Sequence, residues 1–249
     1  MLVDTHCHIH EPYQLPIEEV IARAHAATVN QMICVGTSEE SSRQAIAFAE
    51  ANEGMYAAIG VHPHDTKDGH EEILALAGTS SKIVAVGEVG LDYFYSHSPR
   101  ETQIAALKAQ IEVALQYDLP IIFHVREAFD DFWPIFDSYS GIKGVLHSFT
   151  DSREHLDQAI ARGLLIGVNG ISTFTKDESQ KATFDAIPLE NLLLETDAPF
   201  LTPAPFRGKI NEPAYVRLVA EYHAHRRGIS LEEIATATSA NARALFALS

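Results

Sequence analysis

The sequence has little of what disulfide-rich, membrane-spanning or duplex-coating proteins depend on. Its 249 residues include only two cysteines, Cys7 and Cys34, too few for a disulfide framework, so a reducing cytoplasmic location is expected. No signal peptide is visible, and no apolar run approaches the roughly 18 residues that a membrane helix needs. Basic residues are also scarce, since 18 against 34 acidic residues give a formal net charge of −16. This charge disfavours coating of duplex DNA or an anionic membrane, although bound cations can reverse the local sign.

Short buried strands and amphipathic helices are what the sequence does contain. Apolar residues make up 46% of the chain, with 14 Gly and 11 Pro, a composition typical of a folded protein without low-complexity segments. Continuous runs of Val, Ile and Leu are typical of parallel strands that are covered on both faces. They predict eight strands at residues 2–9, 31–36, 56–61, 83–89, 120–125, 144–148, 164–168 and 191–195.

The regular alternation of these strands with helical stretches predicts a single α/β domain over residues 1–249, a (β/α)8 TIM barrel. Each strand–helix unit has about 31 residues, close to what one βαβ unit requires. Helix starts are predicted at four capping boxes, beginning at Thr37, Ser98, Asp151 and Ser230. An open doubly wound sheet is the competing architecture, but it normally has a glycine-rich loop after its first strand.

Residues that can bind a metal ion stand at the ends of five predicted strands. In a parallel barrel the active site lies at the carboxyl ends of the strands. His6 and His8 alternate along the first strand and therefore face the same side. One histidine at a strand end has ordinary structural explanations, whereas a convergence on five strands does not, because buried charged groups must be paired or bound to metal. The predicted metal ligands are His6, His8, Glu88, His124, His147 and Asp197.

Six ligands are too many for one tetrahedral zinc site and suit two divalent cations with open positions for water. Glu88 is the predicted bridge between the ions, and Asp197 is predicted to bind one ion and to accept the proton of the attacking water. Glu88 and Asp197 are therefore the predicted catalytic residues. Nitrogen and oxygen donors favour Zn, Mn, Co or Fe over Ca, and Mg is compatible through carboxylates and water. The predicted reaction class is metal-assisted hydrolysis of an ester, amide or phosphoester.

Motifs along the whole chain resemble those of the TatD family of metal-dependent deoxyribonucleases, within the amidohydrolase-type metallo-barrels. They are DTHCH at 4–8, GVHPHD at 60–65, GEVGLDY at 87–93, IFHVREA at 122–128, HSF at 147–149, ETDAPFL at 195–201, RGK at 207–209 and NEP at 211–213. The resemblance implies the same six metal ligands. It also implies a two-metal-activated water that cleaves phosphodiester bonds of DNA, as a 3′–5′ exonuclease on single strands or strand ends. The chain departs from the family at Ile210, where an arginine is common.

Further residues near the strand ends are predicted to bind substrate. His62, His64, Arg126 and Arg207 are the candidates, with solvated loop histidines and an ion pair of Arg126 with Glu127 or Asp92 as alternatives. Asp92 is predicted either to orient a ligand histidine or, with slightly more support, to cap a turn.

The cluster of Tyr93, Phe94 and Tyr95 is predicted to pack along the rim of the barrel rather than to stack on bases.

Two other functions are consistent with the same sequence. The first is another metallohydrolase, such as a deacylase of D-aminoacyl-tRNA, because one fold supports many substrates. The second is a non-catalytic metal-bound scaffold, which the presence of Asp197 as a proton acceptor disfavours. The expected partner is DNA, with no membrane association, and the chain is expected to be a monomer.

Overall fold

The computed structural model describes residues 1–95 and 97–249, and its strands form where the apolar runs predict them. The strands are β1 (Leu2–Cys7), β2 (Val29–Val35), β3 (Met55–Ile59), β4 (Ile83–Asp92), β5 (Ile121–Arg126), β6 (Gly144–Leu146), β7 (Leu165–Val168) and β8 (Leu192–Leu194). The helices are α1 (Ile17–Ala26), α2 (Glu39–Ala51), α3 (Ile73–Leu76), α4 (Arg100–Gln116), α5 (Phe129–Asp137), α6 (Arg153–Ala161), α7 (Glu178–Asp185), α8 (Val216–Arg227) and α9 (Leu231–Phe246).

The order of the strands in the sheet decides between the two predicted architectures. The eight strands follow one another in the sheet in the order of the chain, from β1 to β8. A doubly wound sheet would reverse direction at a switch point, whereas a (β/α)8 barrel keeps the order of the chain. The barrel fold class is therefore confirmed.

The chain divides into two compact units. The terminal unit comprises Met1–Ile33 and His147–Ser249, and the central unit comprises Cys34–Leu146. In the terminal unit, β7 pairs in parallel with β8, and an isolated parallel bridge joins Cys7 to Ala198. In the central unit, β3, β4, β5 and β6 are paired in parallel.

The cores of both units are apolar, and Cys7 and Cys34 are buried thiols. No helix in the described part of the chain is long and apolar enough to cross a membrane.

Helix starts show where local sequence signals are ambiguous. The capping box at Ser230 is confirmed, with Ser230 and Glu233 bonded reciprocally. The boxes at Thr37 and Asp151 are wrong by one residue, because Ser38 and Ser152 accept the capping hydrogen bonds instead. The box at Ser98 is also wrong, since its hydroxyl donates to the carbonyl oxygen of His64 at 2.6 Å.

A buried neutral histidine, His223, lies in α8 of the terminal unit. Its Nε2 is 2.9 Å from the hydroxyl of Ser172, which itself donates to the carbonyl oxygen of Asn169. Ser172 must then accept, so the proton of His223 lies on Nε2. The buried Nδ1 has no hydrogen-bond partner among the described residues. Burial, together with the nearby positive charge of Arg227, lowers the pKa of His223 to about 3.

The free energy of unfolding should therefore fall as the pH decreases from 6.5 towards 3. Below pH 6.5 the unfolded chain takes up a proton at residue 223 that the folded chain does not, which costs about 1.4 kcal/mol per pH unit. In urea unfolding series at pH 7 and pH 5, His223→Gln should lose roughly 2 kcal/mol less than the unmodified chain. The same substitution at exposed His25 is the control, and equal losses in both variants would contradict the assignment.

Candidate metal centres

The first cluster lies in the terminal unit, at the carboxyl end of β1. His6 and His8 alternate along the chain, so both imidazoles face the same side, and their Nε2 atoms are 3.1 Å apart. The Oδ1 atom of Asp197 lies 3.2 Å from Nε2 of His8 and 3.6 Å from Nε2 of His6. These three donors converge on one point, as the sequence predicts.

Backbone hydrogen bonds hold Asp197 against β1. Its N–H donates to the carbonyl oxygen of His6 at 2.8 Å, and the N–H of His8 donates to that of Ala198 at 2.7 Å. Asp197 has a left-handed backbone with φ of 58°, which turns its side chain back towards the histidines after β8 ends. Burial raises the pKa of Asp197, but the hydrogen bond with His8 and the nearby imidazoles outweigh it and hold the pKa below its usual value. Asp197 is therefore ionised at neutral pH.

A third imidazole, that of His147, stacks on His6 with ring centroids 3.9 Å apart. Its Nδ1 lies 3.2 Å from Oε1 of Glu195, which also accepts the N–H of Ser148 at 2.6 Å. When Nδ1–H donates to this buried carboxylate, Nε2 carries the lone pair that a cation needs. This arrangement is the usual way in which a carboxylate orients a metal-binding histidine.

The second cluster lies in the central unit, on the neighbouring strands β4 and β5. Oε1 of Glu88 is 2.8 Å from Nδ1 of His124, and Gly90 pairs with His124 in the strand register. Gly90 permits this close approach, because a Cβ atom there would lie 1.8 Å from the carbonyl oxygen of His124. His62, Glu88 and His124 have potential ligand atoms within 4.8 Å of one another.

Asp92 both orients a histidine and caps a turn. Its Oδ2 atom lies 2.9 Å from Nε2 of His124 and 3.0 Å from Nε2 of His64. Its Oδ1 atom accepts the N–H groups of Phe94 and Tyr95, each at 3.0 Å. Burial raises the pKa of Asp92, but these hydrogen bonds and His124 hold it well below its usual value. The two predicted roles of Asp92 are thus combined in one carboxylate.

His62 is a hydrogen-bond donor at this cluster. Its Nδ1 accepts the N–H of His64 at 3.1 Å, so the proton of the neutral imidazole lies on Nε2, 3.5 Å from Oε1 of Glu88. Burial lowers the pKa of His62 to about 4, which keeps the ring neutral at pH 7. A protonated Nε2 offers no lone pair to a cation. The predicted ligands Glu88 and His124 therefore fit a metal ion better than His62 does. The predicted substrate-binding role of His62 is compatible with a ring that donates from Nε2.

The other predicted substrate-binding residues have defined partners. His64 is bonded to Asp92, so neither His62 nor His64 is a solvated loop histidine. Arg126 forms no ion pair with a described carboxylate, and its guanidinium lies 3.9 Å from the ring centroid of Phe94. Exposed Arg207 lies 3.5 Å from the ring centroid of Phe174, within the terminal unit.

The aromatic residues after β4 pack to different extents. Tyr93 is partly buried and donates its hydroxyl to Asp131. The rings of Phe94 and Tyr95 contact each other with centroids 4.7 Å apart, but 48% and 42% of their surfaces remain exposed.

Comparisons with known proteins show the family of the chain. The profile of the family described as TatD-related DNase matches residues 3–247. The chain belongs to this family.

Relatives of the chain cover nearly all of its length. It is 41% identical to the uncharacterized metal-dependent hydrolase YabD of Bacillus subtilis, over 99% of both chains. It is 37% identical to the 3′–5′ ssDNA/RNA exonuclease TatD of Citrobacter rodentium, over 93% of this chain and 92% of that one. The solved structure of the TatD homologue YJJV from Escherichia coli K12 matches with a TM-score of 0.92 and 32% identity, over 100% of this chain and 98% of that one.

The departure of this TatD-family chain at Ile210 leaves the tail motif ordered. The side-chain amide of Asn211 donates to the carbonyl oxygens of Thr196 and Phe200 at 2.8 and 2.5 Å. Arg23 donates to Glu212 at 2.7 Å. These contacts brace the loop that follows Asp197 without a contribution from position 210.

Two buried carboxylates in the terminal unit have roles that the sequence analysis did not assign. Glu195 orients His147, and its signal in the sequence was its place directly after the strand β8, two residues before Asp197. Asp4 accepts the N–H and the hydroxyl of Thr196 at 2.8 and 2.5 Å, which ties the end of β8 to β1. Burial raises the pKa of Asp4 to about 8.

The tautomer of His62 makes a prediction that distinguishes a donor from a metal ligand. His124→Phe removes a lone pair and should weaken Mn²⁺ binding at the central cluster by at least about tenfold, whereas His62→Phe should change it by less than about twofold. Calorimetric titration of both variants with Mn²⁺ measures this difference. A comparable loss in both variants would show that His62 is a ligand.

Proposed function

We propose that this TatD-family chain is a metal-dependent hydrolase that removes nucleotides from the 3′ end of single-stranded DNA. The observation that carries the proposal is the presence of two groups of ligand-type side chains at strand ends, each oriented by a second carboxylate. The name of the Citrobacter relative, an exonuclease of single-stranded DNA and RNA, supports the substrate class. The name of the Bacillus relative supports the broader class of metal-dependent hydrolases.

Each cluster fits one divalent cation. His6, His8 and Asp197 would hold one, with His147 as a further imidazole, while Glu88 and His124 would hold the other. Imidazole and carboxylate donors suit Zn, Mn, Co or Fe, and Mg is compatible with them. Bound divalent cations supply an acidified water and neutralise charge on phosphate oxygens. The sequence-based prediction that Glu88 bridges two ions stays a prediction.

The remaining chemistry falls to side chains whose protonation the structure defines. Asp197 is ionised and only 14% exposed at its side chain, so it can accept the proton of the attacking water. Nε2–H of neutral His62 can donate to a phosphate oxygen, and Arg126 can pair with a phosphate through its guanidinium N–H groups. The predicted contribution of Arg207 to substrate binding stays a prediction.

The charge of the chain favours engagement of a strand end over a long nucleic acid tract. A formal net charge of −16 repels a polyanion except where cations are bound. The binding energy for DNA would then be concentrated at the metal centres. Exonuclease action at one end needs contacts with few nucleotides, which matches this distribution of charge.

The test is cleavage of end-labelled single-stranded DNA by metal-depleted protein to which Mg²⁺, Mn²⁺ or Zn²⁺ is returned. Stepwise shortening that requires metal is expected. Asp197→Asn should lower kcat by about 10²- to 10⁴-fold, because it removes the proton acceptor. The exposed Glu190→Gln in the same unit is the matched control and should cleave normally.

No cleavage by metal-loaded protein with any of the three ions would contradict the nuclease assignment. Hydrolysis of D-aminoacyl-tRNA in the same preparation would then identify a deacylase. Inactivity on both substrates would favour the alternative in which the chain is a non-catalytic metal-bound scaffold.

A further inference from the structure

Beside the central cluster, two exposed aromatic rings to which the mechanism assigns no role lie next to the guanidinium of Arg126. Arg126 lies 3.9 Å from the ring centroid of Phe94 and 5.1 Å from that of Tyr95. The two rings are themselves 4.7 Å apart and nearly perpendicular. We call Phe94, Tyr95 and Arg126 the aromatic platform.

The aromatic platform is exposed even though it is well anchored. Phe94 and Tyr95 leave almost half of their surfaces in contact with solvent. Their backbone N–H groups are nevertheless held by Oδ1 of Asp92, and the Tyr95 ring stacks on His97 with centroids 5.4 Å apart. Exposed apolar rings on a braced turn are an expected feature of a binding surface, because they lose little conformational entropy when a ligand covers them.

The charge of the platform favours an anionic ligand. Arg126 is exposed and forms no ion pair with a described carboxylate, although acidic residues outnumber basic ones by 34 to 18. Its guanidinium carbon lies over the ring of Phe94, and its N–H groups can pair with a phosphate. Planar apolar rings beside an uncompensated guanidinium match the two parts of a nucleotide, its base and its phosphate.

The place of the platform relates it to the reaction. Arg126 follows the predicted ligand His124 by two residues on β5, so both side chains project from the same face of the strand. Two residues of a strand span roughly 6.6 Å, which is comparable to the spacing of neighbouring phosphates in an extended nucleic acid strand. Asp92 holds both His124 and the turn that carries Phe94.

We propose that the aromatic platform binds the nucleotide next to the cleaved phosphate, with its base stacked on Phe94 against the perpendicular ring of Tyr95 and its phosphate paired with Arg126. This inference rests on the proposed function and extends it. A base within a duplex has its faces covered by neighbouring bases, so only an unpaired base can stack on the platform. The platform would then give a preference for single strands without recognition of a particular nucleotide sequence.

The experiment measures binding separately from cleavage. A fluorescent thymidine oligonucleotide with phosphorothioate linkages, which resist cleavage, and a phosphorothioate oligonucleotide of the same length with abasic residues are titrated with the Mn²⁺-loaded full chain, and fluorescence anisotropy gives Kd. The thymidine strand should bind about tenfold more tightly, the gain expected from stacking of one base. Phe94→Ala should remove this difference and leave the Kd of the abasic strand unchanged.

Two further variants make the result specific. Arg126→Ala should weaken the binding of both strands, because both retain phosphates. Tyr117→Ala removes an exposed aromatic residue that precedes β5, at the opposite end of that strand from Arg126, and it should bind as the unmodified chain does. Far-ultraviolet circular dichroism of each variant confirms folding.

The outcomes separate this inference from the proposed function. Equal affinity for the two strands, or an equal loss for both strands in Phe94→Ala, would overturn the platform even if the protein is a nuclease. Base-dependent binding that requires Phe94, in a protein that cleaves no DNA with any metal, would support the platform and contradict the nuclease. The two proposals therefore fail independently.

Discussion

The hydrogen bond between a buried carboxylate and an imidazole is the interaction on which both candidate metal centres depend. Asp92 fixes His124 in the central unit, and Glu195 fixes His147 in the terminal unit. In each pair the carboxylate accepts a hydrogen bond from the N–H of one ring nitrogen, so the other nitrogen keeps its lone pair and the ring keeps its orientation. A strand can place a histidine at an edge of a sheet, but the strand does not determine which ring nitrogen carries the proton. The hydrogen bonds to these carboxylates determine it.

The carboxylates of Asp92 and Asp197 show how this fold stabilises charged groups that are shielded from solvent. Asp92 is almost completely buried, and its two oxygens are satisfied by two imidazoles and two backbone N–H groups. Asp197 gains equivalent support from His6 and His8, which keep its pKa low despite burial. Unpaired buried charges would cost several kcal/mol each, so such sites persist where partners or cations compensate them. The exposed turn that carries Phe94 is held by one of these carboxylates, Asp92.

The spacing of the apolar runs predicted the fold. The positions of ligand-type residues at the predicted strand ends indicated which side chains group together. Eight continuous apolar runs became eight strands because burial on both faces leaves no room for alternation. Helix caps were harder, since Thr37 and Ser38 offer equivalent hydroxyls and only the backbone angles decide between them. The role of Glu195 and the exposure of Phe94 also escaped prediction. Both depend on distances between segments far apart in the chain, or on the course of a turn, which no local pattern encodes.

The proposed mechanism needs one divalent cation in each cluster. Elemental analysis of dialysed, Mn²⁺-loaded protein, combined with anomalous diffraction from its crystals, would count these ions and locate them. Two ions per chain are expected, one bound by His6, His8 and Asp197 and the other by Glu88 and His124. An absence of bound metal, or a single ion per chain, would contradict the two-ion mechanism.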